Sequence, residues 1–149
     1  MLKSIDPLLY ADVLHALRSM GHGDELVLAD TNFPAQSVAR HTSLGRPLRM
    51  DAPAPRVVRA ILSLMPLDTF VDHPARRMEV VGKPSELPPV QMEVQREIAA
   101  AEGRAVPMGS IERMAFYETA KRAYCVILTG ERRFYGDFVF TKGVIPPEA

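Results

Sequence analysis

Apolar positions recur along this chain with two different periods, and their alternation lays out a fold. Tyr10, Val13, Leu14, Leu17 and Met20 fall three and four residues apart, the spacing of one helix face. Asp6 followed by Pro7 offers an N-cap and first turn for that helix, and Gly21 offers a stop. Glu25 to Ala29 reads as a short strand, and Pro34 opens a short helix through about Val38. Val57, Val58, Ile61, Leu62 and Met65 mark a second long helix, with Pro53 and Pro55 near its start. Arg77 to Val81 reads as a strand. Val90, Val94, Ile98 and Ala101 line a third helix closed by Gly103, and a fourth runs from about Glu112 to Arg122. Two β-rich runs follow, Tyr124 to Thr129 and Asp137 to Thr141, with a polar loop between them. Helices alternating with strands in this way predict an α/β fold: a layered single domain over residues 1–149, with a mainly parallel sheet flanked by helices.

Composition narrows the partners. Eighteen basic and eighteen acidic residues cancel, and no basic run exceeds two residues, so nucleic acid is not an expected partner. No stretch approaches the roughly 20 apolar residues of a membrane span. The N-terminal segment mixes Lys3 with Asp6 and Asp12 and lacks the apolar core of a signal peptide. The expectation is a soluble, cytoplasmic protein with no membrane partner. Cys125, the one cysteine, sits in the apolar run Tyr124 to Leu128 and is expected as a buried thiol. His15, His41 and His73 have no second ligand at metal-like spacing, and the GxxxxGK[ST] phosphate loop is absent, so neither metal nor cofactor is expected.

Candidate chemistry concentrates in Gly21-His22-Gly23-Asp24 and the strand that carries the chain on to Asp30. Glycines on both sides leave the imidazole of His22 unscreened, and histidine is the side chain best placed to exchange protons near neutrality. His22 and Asp30 read as an acid–base pair. Each also has a plainer reading: His22 as a loop residue beside a helix end, Asp30 as the cap of a helix opening near Pro34. Eight residue steps could separate them by about 26 Å in an extended chain. They share one cavity only if the Gly21–Asp24 segment folds back, or if they meet across a subunit boundary.

Three blocks carry a family resemblance: MGHGDELVLADTNFPAQS (Met20 to Ser37), IERMAFYE (Ile111 to Glu118) and LTGERRFYGDFVFTKGV (Leu128 to Val144). Together they resemble the ribose pyranase and L-fucose mutarotase family, and the likeness extends from Leu2 to Pro146. Phe33-Pro34-Ala35 and Arg113 resemble the fucose branch more closely. The resemblance implies the same layered fold and an isomerase that needs no cofactor. It implies His22 as catalytic proton donor, with Asp30, Arg113, Tyr135, Gly136 and Asp137 binding the sugar. The family pattern has asparagine where this chain has Asp137; an amide donates and accepts, whereas an ionised carboxylate only accepts. The implied substrate is L-fucose or a related monosaccharide, and the implied assembly is a ring-like homo-oligomer, a decamer, whose pockets are completed by a neighbouring chain. A non-catalytic sugar-binding or transport-associated protein and a ribose pyranase stay open as alternatives. Phe134, Phe138 and Phe140 could serve such an interface or fill the chain's own core.

Overall fold

The computed structural model describes residues 1–148. The elements run α1 (Ala11–Ser19), β1 (Glu25–Ala29), α2 (Ala35–Ala39), β2 (Leu48–Met50), α3 (Ala54–Leu62) and β3 (Ala75–Met78). They continue with α4 (Pro89–Glu102), β4 (Gly109–Ile111), α5 (Arg113–Lys121), β5 (Cys125–Thr129) and β6 (Phe138–Thr141). All six strands join one sheet in the order β2-β5-β1-β6-β3-β4. β2, β5 and β1 pair in parallel, as do β3 and β4. β6 runs antiparallel between β1 and β3. The expected α/β layering and mainly parallel sheet are present.

Strand alternation sends successive side chains to opposite faces. Leu26, Leu28, Cys125, Ile127, Phe138 and Phe140 meet α1, α3 and α4 on one face. Val27, Ala29, Val126 and Val139 meet Val38 of α2 and Phe116 of α5 on the other. Phe138 and Phe140 are fully buried, with ring centroids 6.4 Å apart, so they fill the chain's own core. Phe134 stays 73% exposed. Cys125 is buried as expected, and burial pushes its thiol up to about 12.

Caps explain several helix ends. Pro88 and Pro89 start α4, and Gly103 ends it in the left-handed conformation. The Glu112 carboxylate accepts from the Met114 and Ala115 N–H groups and opens α5. The Lys142 ammonium closes α1 from a distance, donating to the Leu17 and Met20 carbonyls at 2.7 and 2.5 Å.

Three expectations need correction. α1 starts at Ala11, because Asp6 is engaged elsewhere: it accepts from the Leu8 N–H at 2.9 Å and pairs with both terminal nitrogens of Arg56. β3 begins and ends earlier than the predicted Arg77 to Val81. Its register is set by β6, with Ala75 opposite Phe140 and Arg77 opposite Phe138. β2 and β4 have three residues each, too short to display a period of two, and were not predicted.

Truncating Phe138 to alanine should destabilise the fold by about 3–5 kcal/mol, the range for emptying a buried phenylalanine site. Urea unfolding should show a lower midpoint at an unchanged slope; an unchanged midpoint would mean the ring is not part of the core.

Candidate functional site

The C-terminal end of β1 forms the wall of a small cleft. Asp30, Asn32, Phe33, Met78, Arg113, Tyr117, Phe134, Tyr135 and Asp137 line a volume of about 210 Å³. That is below the roughly 300–1,000 Å³ usual for larger ligands and on the scale of one sugar ring. Asp30, Arg113, Tyr135 and Asp137, singled out from the sequence, therefore come together from three separate segments: the end of β1, the start of α5 and the loop before β6. Arg113, on the first turn of α5, donates from Nε to the Tyr117 hydroxyl at 3.1 Å and lies 5.5 Å from that ring's centre.

The loop that delivers Tyr135 and Asp137 is tightly held. Tyr135 has φ +63°, left-handed backbone that costs a non-glycine residue on the order of 1–2 kcal/mol. Its carbonyl accepts from Gln91 Nε2 at 3.0 Å, while the same nitrogen donates to the Met78 carbonyl at 2.8 Å. The Tyr135 hydroxyl accepts from the Val81 N–H. Gly136 follows, and a Cβ there would stand 2.7 Å from Glu131 Cγ and 3.6 Å from Asp30 Cβ. Close approach demands glycine at this point; Gly136 supplies backbone proximity and is not itself part of the cleft lining. Glu131 is buried in turn, accepting from the Ala54 N–H at the start of α3 and from Arg133, which also reaches Glu93.

Two carboxyl groups meet at the floor of this cleft. Asp30 is 4% exposed and Asp137 3%. Asp137 Oδ1 accepts from the Asp30 N–H at 2.9 Å, and Asp30 Oδ1 accepts from the Asn32 N–H at 2.9 Å. Asp30 thus caps the turn after β1. Burial, with the adjacent Asp30 carboxyl, pushes the Asp137 carboxyl well above the usual carboxylate range.

His22 lies elsewhere. The Gly21–Asp24 turn, closed by an Asp24 N–H to Gly21 carbonyl bond, stays at the N-terminal end of β1. Gly23 donates there to the Lys142 carbonyl just beyond β6. Asp30 occupies the opposite end of the strand, so one chain does not bring His22 into the cleft. The imidazole instead donates from Nε2 to Asp68 Oδ1 at 3.0 Å and leans on the Phe70 ring, with centroids 5.3 Å apart. Asp68 is 3% exposed and His22 45%. The Phe70 N–H, and after it His22, hold the Asp68 carboxyl below the usual range. Sequence reading missed Asp68. It lies 46 residues from His22 in a loop with no periodicity, and nothing local signals the contact.

Comparison with known proteins bears on this arrangement. Residues 3–145 match the RbsD / FucU transport protein family. The chain belongs to the RbsD/FucU family. Among its relatives, a fucose mutarotase of Bos taurus is 42% identical over 154 residues, covering 99% of this chain and 97% of the other. The solved fucose mutarotase of Streptococcus pneumoniae in complex with L-fucose is 35% identical, with a TM-score of 0.87 over 97% of this chain and 100% of that one. A further solved structure, of protein Atu2016, described as a candidate sugar-binding protein, is 64% identical, with a TM-score of 0.96 over 98% and 97% of the two chains. Among the described residues no helix is long and apolar enough to cross a membrane.

The raised Asp137 carboxyl has a consequence for stability. A proton held more tightly in the folded state stabilises fully below the ordinary carboxylate pKa of about 3.9. That contribution is lost as pH rises through the elevated folded value. Asp137→Asn should therefore gain melting temperature over the wild type on going from about pH 4 to about pH 8. A difference that stays constant in calorimetric melts would mean the Asp137 carboxyl is ionised across that range.

Proposed function

We propose that this chain is a fucose mutarotase, an isomerase interconverting the α and β anomers of L-fucose or a closely related monosaccharide. The observation that carries this reading is the cleft of Asp30, Arg113, Tyr117, Tyr135 and Asp137. It lies in a chain similar over nearly its whole length to a fucose mutarotase solved with L-fucose. Changing an anomer requires ring opening. One proton leaves the anomeric hydroxyl and another reaches the ring oxygen; the aldehyde rotates, the ring recloses on its other face, and the protons return. The carboxyls of Asp30 and Asp137 accept from sugar hydroxyls, while Arg113 and the Tyr117 and Tyr135 hydroxyls can donate to sugar oxygens.

His22 is the proton donor in this reading. Its Nε2–H is held by Asp68, which orients the ring and leaves Nδ1 for the sugar. Since His22 and the cleft occupy opposite ends of β1, the site is completed by the His22 of a neighbouring chain. A heterologous interface of this kind closes into a ring, and the assembly is a decamer in the cytoplasm. Exposed apolar side chains stand at both edges to be covered: Phe70 beside His22, Phe134 and Met114 near the cleft.

His22→Ala should slow anomer exchange of L-fucose by about 100- to 10,000-fold, the usual contribution of a general acid–base group, while keeping the fold. Magnetisation-exchange NMR on the two anomeric proton signals measures this directly. Near-normal exchange in the variant would remove His22 from the mechanism, and no exchange in the wild type would leave a protein that only binds.

A shared site can be tested by complementation. His22→Ala and Tyr135→Ala proteins, unfolded together and reassembled at random, should pair two intact halves in roughly a quarter of sites. Partial recovery of exchange is expected. No recovery despite proven mixing would confine the whole site to one chain.

A further inference from the structure

Two acids lie together at the floor of the cleft, and among the described residues neither is paired with a cation. Asp137 Oδ1 is taken by the Asp30 N–H and Asp30 Oδ1 by the Asn32 N–H. The Asp137 carboxyl is thus seated on the backbone of Asp30, and both acidic side chains line the same cleft. Both are almost wholly buried. Two neighbouring carboxylates away from water resist ionising together, because their repulsion and the loss of hydration act in the same direction.

The surroundings do not relieve this. From α5, Arg113 spends its Nε on Tyr117. From β3, Arg77 turns away to the carbonyls of Pro84 and Glu86, leaving Met78 as the residue of that strand in the cleft. From the loop before β6, Glu131 adds a third acid close to Gly136, but its charge is answered by Arg133. Tyr117 and Tyr135 are the other titratable groups lining the cleft.

We propose that Asp30 and Asp137 share a single proton, which holds the Tyr135–Asp137 loop against the end of β1 and makes the two carboxyls one singly charged unit reading adjacent hydroxyls of a neutral sugar. This rests on the sugar assignment above and adds to it. With the proton in place, the pair keeps free lone pairs to accept from hydroxyl groups, and its net charge turns away anionic sugars such as uronates. When the proton leaves, two like charges face each other where the loop meets the end of β1, against the Asp30 N–H to Asp137 bond that remains. Their repulsion loosens the loop and with it the floor under the sugar. The elevated Asp137 carboxyl agrees with this geometry.

The test combines two measurements on the intact protein. In sugar-free protein carrying ¹³C at the aspartate side-chain carboxyls, the Asp30 and Asp137 signals should show one proton retained between them through neutral pH. In calorimetric titrations with L-fucose, wild-type affinity should fall about tenfold per pH unit above the midpoint of that carbon titration. Asp137→Asn keeps an acceptor for the Asp30 N–H and a donor for the Asp30 carboxylate, with no proton to lose, so its affinity should lack that fall. His22 is present in both proteins and contributes equally to both curves. Fully ionised carbon shifts for both residues at neutral pH would overturn the shared proton whatever the sugar. Parallel affinity curves for the two proteins would overturn its part in sugar binding. Retention of the proton with no L-fucose binding at any pH would sink the sugar assignment, and the reading of hydroxyls with it, while the pair itself stands.

Discussion

The position of β6 sets the geometry of the whole molecule. It is the one strand running against the others, wedged between β1 and β3. Its start therefore lies beside the end of β1, and its end beside the start of β1. Asp137, immediately before β6, meets Asp30, and Lys142, immediately after it, meets Gly23 and Asp24. One strand thus anchors the cleft at one edge of the sheet and the His22 turn at the other. Asp68 belongs to the same end, since its N–H donates to the Thr141 carbonyl of β6.

Rigidity at the cleft comes from filled hydrogen-bonding positions and tight contact more than from apolar packing. A left-handed Tyr135, a glycine pressed on Glu131 and a buried Gln91 spanning two carbonyls form one connected piece. Glu131 carries that piece to the start of α3, and Arg133 carries it to α4 through Glu93. The strain in Tyr135 persists because bonds at its carbonyl and its hydroxyl both fix it. Gln91 Oε1 is buried without a partner among the described residues, so the amide is committed to its two donor bonds at a cost in solvation.

Much of this was legible in the chain itself. Long amphipathic helices such as α3 and α4, and the runs that became β1 and β5, announce themselves by period. Asp30, Arg113, Tyr135 and Asp137 were visible as a candidate set, and the fold brings them to one cleft. What stayed hidden depends on distant pairing. β2 and β4 exist because a neighbouring strand offers hydrogen bonds, not because three residues show a pattern. Asp6 resembles a helix cap until Arg56, 50 positions away, is placed against it. The Asp68 partner of His22 is likewise a product of topology, and so is the separation of His22 from Asp30. Local sequence marks where a strongly patterned strand lies, but not which side of the sheet a loop returns to.

The thiol of Cys125 sits in the central layer of the sheet, sealed from solvent and protonated at any physiological pH. Its reactivity is therefore gated by the opening of β5 from its neighbours. A maleimide or iodoacetamide reaches this thiol only while the core is open around it. The chain carries its own reporter of how often the sheet comes apart.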